Sequence, residues 1–274
     1  MNQFEYIITS GCSFSDPVSG FTWPVRLSAS YKVKSDHVGL SSQGNGLIAR
    51  KALYAVHKAM SSGVDPAKIL VGIMWSGPDR HDTYISNLNG QLPDEVKNID
   101  FMAVNPTSYV DGDPGGWLIM NHHWKEKTSK IYYSHLHDYV NQRINTYEKI
   151  LWVQSQLKLL GIRYFMVPFT KEVFSDNFND EAQFHSNPNI AWMKKLIDWS
   201  QWLPVKSMHD WCYTYWTDDD FDKITFQQPQ GDWMTWPDNH PKDFMHKRFV
   251  KEVILPHIKK SFPDYYCPGL LETD

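Results

Sequence analysis

Lys68-Ile69-Leu70-Val71-Gly72-Ile73-Met74-Trp75 is an unbroken apolar run of strand length. A strand covered on one face alternates apolar and polar side chains. A strand covered on both faces does not, as in a parallel sheet packed between helices. Just before it, Leu47 to Ser61 places Ile48, Ala52, Ala55, Val56 and Ala59 on one helical face, and Gly63 stops that helix. Earlier still, Phe4 to Thr9 is a short β-rich run broken at once by Ser10-Gly11. Trp23 to Ser30 is a short helix with Pro24 in its first turn, and Tyr31 to Val38 roughly alternates as a second strand. After the decisive run, Asn141 to Leu160 has helical periodicity through Ile144, Tyr147, Leu151, Gln154, Leu157 and Leu160, with Gly161 as its cap. Ile162 to Phe169 reads as a fourth strand. Lys242 to Lys259 reads as a last helix with Phe249, Val250, Val253, Ile254 and Ile258 facing inward. Strands alternate with helices, so the chain is an α/β protein with a mainly parallel sheet.

Two stretches interrupt this pattern. Ser76 to Tyr139 loses periodicity and gains Gly, Pro, Asn and Asp; it reads as an insertion after the third strand. Beyond Phe169 a second irregular region holds a Trp-rich helix near Ile190 to Trp202, then a polar, aromatic stretch to Pro237. With 274 residues the chain is expected to form one domain over 1–274, with insertions at about 77–140 and 170–236.

Charge excludes some functions. The 27 Lys and Arg nearly balance 31 Asp and Glu, leaving a net charge of −4, so there is no basic footprint for nucleic acid and no polybasic patch for an anionic membrane. Met1 to Glu5 has no basic n-region, Tyr6-Ile7-Ile8 is too short for a signal sequence, and no apolar run reaches the ~20 residues that span a bilayer. Cys12, Cys212 and Cys267 are odd in number and lack metal-ligand spacing. A reduced, cytoplasmic protein is expected, with signal-independent release, as in a virus particle freed by lysis, left open.

Parallel α/β folds place their sites beyond the carboxyl ends of the strands. Ser13, Gly44-Asn45 and Ser76 all fall there. Gly11-Cys12-Ser13 ends the first strand. The glycine permits a sharp turn and gives a substrate room to approach the hydroxyl, and amides at such a turn can bind a developing oxyanion. The bland alternative is an ordinary turn serine. At the other end of the chain, Asp238-Asn239-His240-Pro241 precedes the last helix. A carboxylate there can hold the neighbouring imidazole in one tautomer and stabilise the imidazolium, or else merely cap the helix. Hydroxyl, imidazole and carboxylate are the groups of an acyl-transfer hydrolase.

Four blocks in this order, "ITSGCSFS", "GLSSQGNGLIAR", "ILVGIMWSGPDR" and "DNHPKDFMHKRFVKEVILPHI", resemble the SGNH, or GDSL-type, hydrolase family, in particular its branch with a GCS-aromatic nucleophile block and a C-terminal DxHP block. The insertions, nearly half the chain, match nothing in it. The resemblance implies a three-layer α/β/α, flavodoxin-like fold and a serine esterase working through an acyl-serine without metal or organic cofactor. It implies Ser13 as nucleophile, His240 as general base and Asp238 as its orienting carboxylate. The oxyanion hole would use the amides of Ser13 and Gly44 with a side-chain donor from the third block. Three departures stand out. Cys12 replaces the usual Asp, the carboxylate lies two rather than three residues before the histidine, and the third block, Trp75-Ser76-Gly77, has no Asn. Ser76, or Asn45 from the neighbouring loop, can supply the missing donor.

Arg80 is a candidate for an anionic substrate group, against a loop-anchoring role. Trp75, Trp233 and Trp236 are candidate pocket walls; flat aromatic surfaces suit sugar rings or acyl chains, and an O-acetylated carbohydrate is the first substrate expected. Cys12 is an alternative nucleophile or, more simply, a small buried hydrophobe. His122, His123, His135 and His137 share no metal-site spacing, and Asp218-Asp219-Asp220 reads as a solvated loop. The expected partner is a small-molecule or glycan ester, with no metal. The rival reading is a non-catalytic binding or structural module on the same scaffold.

Overall fold

The computed structural model describes residues 2–19, 22–86, 104–105, 110, 115–121, 127–174, 187–214, 225–226, 240–241 and 243–268. The chain begins with β1 (Tyr6–Ser10), α1 (Trp23–Tyr31), β2 (Lys34–His37), α2 (Asn45–Ser61) and β3 (Ile69–Trp75). The first insertion contributes β4 (His81–Ile85), β5 (Val104–Asn105), β6 (Gly116–Met120) and α3 (Lys127–His135). Then come α4 (Tyr139–Leu159), β7 (Arg163–Pro168), α5 (Pro188–Leu196), α6 (Met208–Tyr213), β8 (Thr225–Phe226), β9 (His240–Pro241), α7 (Asp243–Phe249) and α8 (Leu255–Ser261).

The main sheet is parallel throughout, in the order β2-β1-β3-β7. Its side chains part between two cores with the period of a strand. Ile7, Leu70, Met74, Phe165 and Val167 pack with α1 and the C-terminal helices. Ile8, Val71, Ile73, Tyr164 and Met166 pack with α2, α4 and α5. The result is a three-layer α/β/α sandwich with flavodoxin-like strand order, and it explains why all seven residues of β3 are buried. Gly72 belongs in that strand because a Cβ there would stand 2.6 Å from the Phe165 ring.

Two helices depart from the sequence reading. The Trp-rich helix ends at Leu196, with Ile197 extended and a short 3-10 turn over Trp199–Gln201. Asp198 causes the break: its carboxylate caps that turn through the Ser200 N–H and pairs with Lys158 at 2.6 Å, while its own N–H donates to Gln154 on α4. The last helix contains a π turn over Val250–Ile254 before α8 resumes. Pro256 lacks the N–H that would bond the Glu252 carbonyl, so the ladder is already broken there.

The first insertion is more ordered than its composition suggests. It forms an antiparallel sheet in the order β4-β6-β5. Trp117 and Ile119 of β6 pack on Leu47 of α2, and the Arg50 guanidinium lies 4.9 Å from the centre of the Trp117 ring. These contacts bring the insertion against the N-terminus of α2, beside the carboxyl ends of the main strands.

Candidate active site

After β1 the chain enters a 3-10 turn, Ser13–Ser15, beyond the carboxyl end of the sheet. Ser15 anchors it: its hydroxyl accepts the Trp23 indole N–H at 3.0 Å. The loop after β2 lies against the same turn. Leu40 N–H donates to Gly11 O at 3.1 Å, the Gln43 side-chain amide donates to the same carbonyl, and the Asp16 carboxylate accepts both the N–H and the hydroxyl of Ser41 at 2.9 Å. This closeness demands glycine on both sides. A Cβ at Gly11 would meet Ser15 Oγ at 2.3 Å, and one at Gly39 would meet Ser15 O at 2.5 Å.

Ser13 stands at the head of this pinned turn, partly buried, and neither its hydroxyl nor its amide hydrogen-bonds a described residue. Strand β9 packs on the turn, and the His240 ring lies 4.9 Å from the ring of Phe14, the residue after Ser13. Thus the two ends of the chain meet, although Ser13 and His240 share no hydrogen bond. His246 holds β9 in place. Its Nδ1 accepts the Trp23 N–H at 3.1 Å and its other ring N–H donates to the Pro241 carbonyl. Burial pushes His246 down to about 3, opposed by Asp243 and the Pro241 bond and aided by His240 and Arg26. Asp238, Trp233 and Trp236 lie outside the described residues, as do His122, His123 and Asp218 to Asp220. Among the described residues no cluster of His, Cys, Asp or Glu could hold a metal ion, and no helix is long and apolar enough to cross a membrane.

The expected oxyanion donors are differently employed. The Gly44 N–H donates to Asp82 Oδ1 at 2.8 Å, and the Leu47 N–H donates to Asp82 Oδ2 at 2.8 Å. A side chain of the insertion therefore occupies the amide that the family resemblance assigns to the oxyanion. Asn45 is equally committed. Its Nδ2 donates to Ser76 O and Thr146 Oγ1, both at 3.0 Å, and its Oδ1 accepts the Ser76 N–H at 2.8 Å. It fastens α2 to the end of β3 and to α4 rather than pointing at Ser13. Ser76 is fully buried, with its hydroxyl unpartnered. Trp75 is also fully buried, in the core shared with α2 and α4, so it is no pocket wall. Its place in an inner strand decides that, since β3 is covered on both faces.

Several charged or polar residues near the site carried no sequence motif. Desolvation pushes the Asp82 carboxyl up, outweighing the pull of the Gly44 and Leu47 amides and of Arg50 and Arg80. Burial likewise lowers Lys51 to about 8 despite Asp16 and Asp82 nearby. His209 is a second imidazole beside Phe14, with ring centres 6.4 Å apart. Cys12 is fully buried in the α1-side core, as a small hydrophobe would be.

No protein-family model matches the sequence, and no curated protein is similar to it in sequence. Solved structures do resemble it. A member of the lipolytic G-D-S-L family from Veillonella parvula DSM 2008 is 9% identical over 94% of this chain and 98% of its own, with a TM-score of 0.39. A second, described as a putative lipolytic protein of that family from Desulfitobacterium hafniense DCB-2, is 9% identical over 94% and 99%, with a TM-score of 0.36. LAE5, an alpha/beta hydrolase enzyme from the metagenome of Lake Arreo, Spain, is 10% identical over 98% and 99%, with a TM-score of 0.41. At these values the likeness carries no argument about activity, which rests on the geometry of the site.

Proposed function

We propose that the chain is a serine ester hydrolase of SGNH type, with Ser13 as nucleophile and His240 as general base. One observation carries this reading: Ser13 heads a turn beyond β1 with its hydroxyl and amide both uncommitted among the described residues, and the strand bearing His240 packs on that turn. Ser13 Oγ attacks the ester carbonyl as its proton passes to His240, and the Ser13 N–H donates to the developing oxyanion. The C–O bond to the alcohol then breaks, with the imidazolium protonating the leaving oxygen. Water, deprotonated by the same imidazole, hydrolyses the acyl-serine and restores the hydroxyl. Asp238 is assigned to orient His240.

Loss of one oxyanion donor costs roughly 2.7–4 kcal/mol of transition-state stabilisation in known hydrolases. With Gly44 bonded to Asp82, the expected enzyme is slow in this conformation. The same observation favours a second reading, a non-catalytic binding module, because Gly44, Asn45 and the Ser76 amide are all consumed by internal bonds.

Fluorophosphonate labelling separates the two. Covalent capture of the wild type, abolished in Ser13→Ala and strongly reduced in His240→Ala, supports the hydrolase; equal labelling of wild type and Ser13→Ala removes Ser13 from any mechanism. A panel of short-chain aryl esters and acetylated sugars then tests the acyl group and the O-acetylated carbohydrate expected from the sequence.

A further inference from the structure

Arg80 lies in the tight turn after β3, closed by its own N–H on Gly77 O at 3.3 Å. Its guanidinium sits over the Phe169 ring, 5.1 Å from the centre. Phe169 in turn meets Phe14 edge-on at 5.5 Å, and Phe14 is the residue between Ser13 and the turn's Ser15 anchor, packed on His240. Two ring contacts thus link the Arg80 guanidinium, through Phe169, to the residue that follows the proposed nucleophile.

That cation is incompletely used. Arg80 Nη1 is buried without a hydrogen-bond partner, and the guanidinium forms no ion pair or hydrogen bond with a described residue. Asp82 is within electrostatic reach, but both its oxygens accept backbone N–H groups instead. Nη1 is closed off from solvent but the other guanidinium nitrogens are not, and a planar fork held against an aromatic ring is organised to receive a carboxylate on that open edge through two parallel bonds. Loop anchoring does not account for it, since the side chain bonds nothing in the loop.

We propose that Arg80 is the specificity-determining residue of this site and selects an ester that carries a carboxylate, on its acyl or its alcohol part. The proposal rests on the hydrolase reading for its substrate class. Stacking on Phe169 holds the guanidinium in place, and the carboxylate takes its open edge while the ester carbonyl lies over Ser13.

The test compares two pairs of aryl esters, the members of each pair differing by one carboxylate. Mono-4-nitrophenyl glutarate is set against 4-nitrophenyl butyrate for a carboxylate in the acyl part. For a carboxylate in the leaving group, 4-acetoxybenzoate is set against its methyl ester. Wild type should show a higher kcat/KM for one anionic member, chiefly through a lower KM. That preference should fall about tenfold to a hundredfold in Arg80→Gln and less in Arg80→Lys, which keeps the charge without the fork. No preference in the wild type, or one that survives Arg80→Gln with the fold intact by circular dichroism, overturns the proposal. If neither ester is hydrolysed in a Ser13-dependent way, the hydrolase reading fails separately. Calorimetric titration of Ser13→Ala protein with glutarate then decides for Arg80: saturable binding lost in Ser13→Ala/Arg80→Gln supports it, and no binding overturns it.

Discussion

Asp82 on β4 accepts the Gly44 N–H at 2.8 Å and so caps α2 from outside its own segment. With the Leu47 bond, one carboxylate satisfies two of the amides that the first turn of a helix leaves without intrahelical partners. The helix dipole favours a negative charge at that end, and desolvation opposes it. The bond is a joint between the insertion and the sandwich.

Removing that joint orphans two amides. Asp82→Ala should destabilise the fold by about 1–3 kcal/mol, read as a lower urea midpoint at unchanged m-value. Asp82→Asn keeps an acceptor for one amide and should lose less. A wild-type midpoint in Asp82→Ala would mean that the insertion does not cap α2. In the hydrolase assay the same variant frees the Gly44 amide, so activity per folded molecule should rise.

This joint also marks the limit of what the sequence discloses. The sandwich was legible because its signals are periodic: β3 is apolar at every position, and α2 and α4 repeat apolar residues at helical spacing. The turn carrying Ser13 was legible from Gly11, whose absent side chain the close approach of Ser15 requires. Asp82 has no periodic signal. It lies 38 residues from its partner, on an edge strand within a region of irregular composition, and its role depends on where that strand docks. The break after Leu196 was missed for a related reason, because Asp198 competes for backbone N–H groups only once Lys158 and Gln154 hold it. Asn45 was read as a candidate donor from its place beyond the second strand. Its actual partners, Ser76 and Thr146, sit on two distant elements that only the folded layers bring together.

Asn45 should accordingly behave as a structural residue. Asn45→Ala removes two donated bonds and orphans the Ser76 N–H, a loss of about 2–4 kcal/mol in a buried setting. Differential scanning calorimetry should show a lower Tm. A large fall in kcat with wild-type thermal stability would instead return Asn45 to the oxyanion hole.

Cys12 should be inert. A fully buried thiol beside a partly buried hydroxyl gives a clear chemical contrast. In native protein Ellman's reagent should leave Cys12 unmodified, with all three cysteines reacting after unfolding, and Cys12→Ala should retain fluorophosphonate capture at Ser13. Loss of capture in Cys12→Ala with the fold intact would make the thiol the reacting group.

His246 should make the fold acid-sensitive. It is buried neutral, with Nδ1 accepting from Trp23 and the proton on Nε2 donated to Pro241. Its folded value, about 3, lies below the ordinary 6.5, so as pH falls the unfolded chain takes up the proton first. Stability from the neutral ring is therefore complete above about pH 6.5 and drains away as pH drops from there toward 3, at up to ~1.4 kcal/mol per pH unit. His246→Gln keeps an acceptor and a donor but cannot titrate. Between pH 7.5 and 5 the wild type should lose about 2 kcal/mol more than this variant in urea denaturation, a difference in which the other buried histidines cancel. Parallel losses in both proteins would show that His246 does not titrate with unfolding. In folded molecules the ring stays neutral down to about pH 3, so the Pro241 bond, and with it the seat of His240, persists wherever the fold does.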